Sequence, residues 1–294
     1  MNADSISRFI SNLSDTVKSS VKIALHPCPS HVTPIDSNSD DKSIIIMGNG
    51  PSFAKTMAQH ADILNSHPTL AVNFFGNTPE YTIIRPGYYV LVDPAFFVLG
   101  HDPAIDRLIE RINTVTDWPM TLYIPRSGRK ALPPFTNPCV TIEEISINGV
   151  EGFEWFENWA FTHRLGTPRP RNVLIPSIMQ CIALGFRDIY VTGADHTWAL
   201  TLSVNDQNQV VSIQPHFYKE DEEHLAKNRE VFLGCRIHEV YNSYYVAFKA
   251  YHTIDRYARR RGVNIFNATP GSFIDAFRRR PITAIISDKD TTTV

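Results

Sequence analysis

The chain has 294 residues, 43% of them hydrophobic and 20% charged, the composition of a globular protein with a core rather than a disordered or fibrous one. Its net charge of −2 leaves no basic surplus for nucleic acid. Four scattered cysteines (Cys28, Cys139, Cys181 and Cys235) make neither a C-x-x-C pair nor a metal-ligand spacing, which argues against a disulfide framework or zinc ribbon and for a reducing cytoplasm.

No apolar run approaches the roughly 18 residues of a membrane span, and the first residues lack a signal-peptide pattern. Residues 5–22 place Ile6, Phe9, Ile10, Leu13, Val17 and Val21 at helical spacing, with Arg8, Asp15, Lys18 and Lys22 on the other side. The pattern predicts a helix packed on the body or on a neighbouring subunit, with membrane-surface binding as the alternative. Pro, Ser, Asn and Asp dominate from Pro27 to Asp41, so 1–42 reads as helix plus linker.

From Lys42 onward, short apolar runs alternate with helical patterns. The expected strands are Ser43–Met47, Thr69–Asn73, Tyr88–Asp93, Met120–Pro125, Asp188–Thr192 and Asn264–Phe266. The expected helices are Ser52–Leu64, Pro103–Val115, Asn172–Leu184 and Glu239–Arg260. Strands that are apolar throughout, alternating with helices, predict an α/β, Rossmann-like parallel sheet with helices on both faces. The stretch Leu202–Cys235 is polar and aperiodic, as expected of a lid or binding loop. The expected organisation is an α/β domain over 43–201, a lid over 202–237, a returning helix and strand over 238–280, and a tail over 281–294.

Ligands of open parallel sheets bind beyond the carboxyl ends of the strands. Here those ends carry Gly48-Asn49-Gly50-Pro51-Ser52, Asn73, Asp93-Pro94 and Gly193-Ala194-Asp195-His196. Gly48-x-Gly50 permits a tight turn before a helix N-terminus, but Phe53 stands where a dinucleotide site needs its third glycine. Asn73 also replaces the acidic residue that would hold an NAD ribose. NAD is therefore disfavoured, whereas a nucleotide held by Asn amides fits; a plain turn capped by Ser52 is the competing account. No dense carboxylate cluster or His-Glu-x-x-His pattern supports a metal. His216, inside the polar loop, and His196, at a strand end, are the acid–base candidates. Arginines at 256, 259–261 and 278–280 read as a solvated face, or as a source of attraction to anionic lipid.

Together these segments resemble the bacterial CMP-sialic-acid-dependent sialyltransferases of glycosyltransferase family 42. The resemblance lies in Ile44–Ser52, Asn73, Asp93-Pro94-Ala95-Phe96-Phe97, Cys181–Asp195, His216-Phe217 and Val263–Phe277. Related polysaccharide-locus proteins, and the domain shared with flagellin-glycosylating motility accessory factors, are similar too. The resemblance implies a modified nucleotide-binding fold of the GT-A type, a CMP-activated donor, inversion at the anomeric carbon and no metal. By position it would set Asn49 and Ser52 at the donor phosphate or sugar, and Asn73 at the ribose or donor sugar. Gly48, Gly50, Asn172, Asp195, Trp198 and Tyr218 would lie in the same donor site, and the backbone amides of the glycine turn would meet the departing phosphate. His216 would be the general base, with Glu220 or Asp221 as its alternates because Lys219-Glu220-Asp221 stands where the family has its basic histidine. His196-Thr197-Trp198 occupies the neighbourhood of the tyrosine that, in the family, stabilises the leaving phosphate. Asp93 replaces a family asparagine and would repel a carboxylated sugar, so sialic acid, another nonulosonate or a similar sugar all stay open.

The expectation is a metal-independent glycosyltransferase, without cofactor, extending a surface polysaccharide or lipooligosaccharide. Its partners would be a nucleotide-sugar donor and a glycan or glycolipid acceptor, in a homo-oligomer of the bacterial cytoplasm that can touch the inner face of the membrane. Two other readings remain: Mg²⁺-dependent diphosphate transfer, since the glycine turn also looks like that of pterin diphosphokinase-like proteins, and a non-catalytic nucleotide-sugar-binding subunit.

Overall fold

Ile44, Ile45, Ile46 and Met47 are all fully buried, although successive strand side chains point to opposite faces. Strand β1 (Ser43–Met47) must therefore be covered twice, and it lies near the middle of an eight-stranded, wholly parallel sheet. The computed structural model describes residues 3–27, 32–35, 42–100, 102–212, 217 and 234–286. In chain order the strands are β1, β2 (Thr69–Val72), β3 (Tyr88–Val90), β4 (Met120–Pro125), β5 (Val140–Ile145), β6 (Asp188–Thr192), the hairpin β7 (Ser203–Val204) and β8 (Val210–Val211), β9 (Asn264–Asn267) and β10 (Arg278–Arg279). The helices are α1 (Ala3–Leu25), α2 (Ser52–Ser66), α3 (Glu80–Ile84), α4 (Pro103–Val115), α5 (Arg126–Arg129), α6 (Glu154–Thr162), α7 (Leu174–Leu184) and α8 (Ile237–Arg260).

The sheet order is β10-β9-β6-β1-β2-β3-β4-β5, with β7–β8 a separate antiparallel pair. From β1 the chain winds outward through β5, then crosses back to place β6 on β1's other side. That reversal makes β1/β6 the switch point, where α/β proteins form their crevice. Ile44 and Ile46 join the core under α6, α7 and α8, whereas Ile45 and Met47 join the core under α2, α3 and α4. Every strand and helix expected from the sequence is present, with no end shifted by more than three residues: β2 stops before Asn73, β3 stops at Val90, and α7 starts two residues after Asn172.

Of the elements that the sequence did not announce, β5, β10 and α6 are the most instructive. β5 carries Glu143 and Glu144 because it is a sheet edge, where charge guards against further pairing. β10 is the other edge and is built from the arginine cluster itself. α6 reads EWFENWAFT, too short to show a period. The arginines are mostly solvent-exposed, as expected, and several of them are also engaged at the surface. Arg280 lies over Phe266 at 4.8 Å, Arg279 donates to the carbonyls of Thr269 and Ser272, and Arg259 and Arg260 pair with Asp255 and Glu154 at 2.8 and 2.6 Å. The expected linker is partly fastened as well: Val32 is buried, and the Ile35 amide donates to the Leu184 carbonyl.

Beyond the switch point two glycine turns interlock. The Gly48 amide donates to the Thr192 carbonyl and the Gly50 amide to the Gly193 carbonyl, both at 2.8 Å. A Cβ on Gly48 would sit 2.5 Å from the Gly193 oxygen, and one on Gly193, whose φ is +64°, would collide with the Gly48 carbonyl. Gly193→Ala combines left-handed strain with a clash against backbone, so it should cost about 2–5 kcal/mol in denaturant unfolding. Gly87, whose missing Cβ faces open space, should accept alanine within about 0.5 kcal/mol.

Candidate functional site

The carboxyl ends of β1, β2, β3 and β6 open onto a cleft of about 1220 Å³, closed on its far side by the first turns of α8. Of the residues expected there, Gly48, Asn49, Gly50, Asn73, Asp93, Asn172, Asp195, His196 and Trp198 line it. His216, Tyr218 and Glu220 lie outside the described residues. Phe217, between the first two, packs on Phe53 at 5.0 Å, and its amide donates to the Asn49 carbonyl.

Several expected ligand-binding groups are engaged within the protein instead. Ser52 is not on the cleft wall: its hydroxyl donates to Asp195 Oδ2 at 2.8 Å and its amide to Oδ1 at 3.3 Å, so Asp195 caps α2. The Gly48 and Gly50 amides already hold β6, which corrects their expected role as phosphate donors; these glycines serve the close approach of two turns. Asn49 Nδ2 donates to the Val72 carbonyl and ties β1's end to that of β2.

Asn73 follows β2 with φ +51°, a left-handed conformation that asparagine tolerates. The Tyr89 hydroxyl holds it there by donating to the Asn73 carbonyl at 2.6 Å, while accepting from the Gly76 amide. Asn73 Oδ1 is buried without a partner among the described residues. On the opposite wall, Asn172 Oδ1 accepts from both the Leu174 amide and the Tyr251 hydroxyl at 3.0 Å, which identifies it as the oxygen. Its Nδ2 is buried and has no partner among the described residues. One unsatisfied acceptor and one unsatisfied donor thus stand on the walls of the cleft, an arrangement that a polar ligand would complete.

Tyr251 couples this amide to His196. Its single proton goes to Asn172, so at the 2.6 Å contact with His196 Nε2 the histidine must be the donor. His196 is therefore the Nε2–H tautomer, with an acceptor lone pair on Nδ1. Burial holds its pKa down to about 3 and pushes the Tyr251 phenol above its ordinary range. The imidazole is therefore neutral and brings no positive charge to the cleft. Trp198 covers the ring at 4.1 Å and meets Tyr244 of α8 at 5.4 Å.

The structure also adds residues that the sequence reading passed over. Arg171 is the single Lys or Arg among the described lining residues, and His238, Glu239 and Tyr244 form the α8 wall. Arg171 could have been found as a cation beside Asn172 at a helix mouth. The α8 residues carry no local signal, because only the long return of the chain brings them opposite β1. Among the described residues no three His, Cys, Asp or Glu side chains gather as a metal site.

The low His196 pKa fixes the sign of a pH effect. Between about pH 6.5 and pH 3 the unfolded chain binds a proton there that the folded chain refuses. This contribution is complete above pH 6.5 and is lost as pH falls, by up to about 1.4 kcal/mol per unit. His196→Gln should flatten the acid limb of a stability–pH curve by a comparable amount. Tyr251→Phe should replace the single Nε2–H signature in ¹⁵N histidine spectra with mixed tautomers.

No family model matches the chain, and no curated protein matches it. A structural comparison finds the MAf glycosyltransferase from Magnetospirillum magneticum AMB-1 at a TM-score of 0.47 and 12% identity, over 95% of this chain and 40% of that one. This chain thus spans less than half the length of that protein.

Proposed function

We propose that the protein is a glycosyltransferase that uses a CMP-activated sugar, inverts the anomeric carbon without a metal, and extends a surface polysaccharide or lipooligosaccharide. The observation that carries this reading is the cleft at the switch point. At about 1220 Å³ it exceeds the roughly 300–1,000 Å³ of a single small-ligand site, leaving room for donor and acceptor together. Its one described cation and its unsatisfied amides suit a phosphate and a nucleoside better than an apolar ligand.

In this mechanism Arg171 and the Asn172 Nδ2 group receive the departing phosphate, and Asn73 Oδ1 accepts from the ribose or the cytosine amine. The acceptor hydroxyl forms its bond to the anomeric carbon as the bond to the phosphate oxygen breaks. The hydroxyl proton goes to a base, His216 in this proposal, and the negative charge leaves on CMP. His238, exposed on the cleft wall, is the histidine against which that assignment must be tested. Asp93 lines the cleft, its Oδ1 accepting from the Ala95 amide, and would select against a carboxylate placed beside it.

Thermal-shift screening against CMP, UDP, GDP, ATP and NAD separates the readings. CMP at 100 times its Kd should stabilise the fold by about 2.7 kcal/mol, and Arg171→Ala should sharply reduce that response. His216→Ala should keep CMP binding and lower transfer by about 10²–10⁴-fold, with His238→Ala close to wild type. A response to NAD alone overturns the proposal. An ATP response with strict Mg²⁺ dependence assigns diphosphate transfer instead, and CMP binding without transfer to any acceptor assigns a binding subunit.

A further inference from the structure

Helix α7 reads LIPSIMQCIAL and is buried along almost its whole length, so its two polar side chains need partners. Ser177 finds one by donating to the Val173 carbonyl at 2.8 Å. Gln180 is only 5% exposed, and its Nε2 has no hydrogen-bond partner among the described residues. The Tyr123 hydroxyl lies beside it on the core side, where burial pushes the phenol up and the amide only partly offsets this. Gln180 borders a cavity of about 230 Å³ between α7 and the ends of α6 and α8. The cations of that cavity are Arg164, two residues after α6, and Arg261, one residue after α8. No Asp or Glu is among its described lining residues, and Glu143, on the same face of β5 as Ile145, stays out of the lining. Basic residues after helix C-termini are ordinary, because they meet the negative end of the helix dipole. That accounts for the two arginines but not for an open amide on a buried helix.

We propose that this cavity binds a small tetrahedral oxyanion of the phosphate class. Size selects the ligand first. The cavity is smaller than the roughly 300–1,000 Å³ of sites for organic ligands, yet several times the about 30 Å³ of one water. Charge selects it next, since two guanidinium groups with no carboxylate beside them favour an anion, and their N–H forks match phosphate oxygens. Arg261 lies over the Tyr257 ring at 5.7 Å, a contact that uses the face of the guanidinium and leaves its edge for a ligand. Arg164 donates to the Val32 carbonyl at 3.4 Å, which ties it to the segment that brings Pro34 to the cavity wall. Gln180 supplies a neutral donor at the buried end by turning its Nε2 to the anion. The site is separate from the cleft: Leu174 is the last α7 residue on the cleft wall, and Gln180 stands six residues, about 9 Å, farther along the helix.

The inference is independent of the catalytic reading. It is tested on the full chain by isothermal titration calorimetry with inorganic phosphate, at an ionic strength held constant with sodium chloride. Arg171→Ala serves as the background, so that phosphate entering the cleft is not counted. That protein should bind one phosphate, and Gln180→Leu or Arg261→Gln added to it should each weaken binding about 10-fold. Arg261→Gln changes an exposed side chain and keeps the test decisive if Gln180→Leu folds poorly. Failure of the Arg171→Ala protein to bind phosphate overturns the proposal, as does an affinity that either folded variant leaves unchanged. A Kd above about 10 mM identifies an adventitious ion only and overturns it as well.

Discussion

The contact on which the rest depends is the interlock of Gly48 and Gly193 where β1 and β6 end. Two neighbouring parallel strands must turn away from each other here, and their backbones lie too close for any side chain. The amides of Gly48 and Gly50 close this contact, so turns that look built for a ligand are built first for each other. The cleft begins where that contact ends. Its depth is set by how tightly the two turns pack, and its walls by what each turn leads into.

One turn leads to Ser52 and α2, the other to Asp195, and the two residues bond to each other. The 194–195 backbone is fixed from behind: the Ala194 amide donates to Thr269, the Ser272 hydroxyl donates to the Ala194 carbonyl, and the Phe273 amide donates to the Asp195 carbonyl. This explains structurally why the Asn-Ala-Thr-Pro-Gly-Ser-Phe run after β9 belongs with the Gly-Ala-Asp turn. It buttresses the site without lining it. Polar residues near a cleft thus divide into those that shape it and those left with an open valence. Asn73 and Asn172 belong to the second group.

His196, Tyr251 and Asn172 show how a buried polar chain acquires direction. Leu174 fixes which end of Asn172 is oxygen, Asn172 takes the tyrosine proton, and the histidine tautomer follows. Desolvation keeps the imidazole neutral, so the chain ends in a hydrogen-bond donor on Asn172 rather than in a mobile charge.

The sequence by itself determined the sheet and the location of its mouth. Runs such as Ile44–Met47 and Asp188–Thr192 are too apolar for anything but strands covered on both faces, and polar residues at their ends mark where the covering stops. It also determined that residues 5–22 form an amphipathic helix. It did not reveal β5 or β10, because edge strands carry charges that break the apolar signal. Tertiary structure alone decided which polar residues face each other. Ser52 and Asp195 are 143 positions apart and Asn172 and Tyr251 are 79 apart, and no spacing rule reaches across a crossover. It likewise decided that α1 grips the body by Thr16 and Ser19, because docking depends on the loop at Gly152, which the helix's own periodicity does not contain.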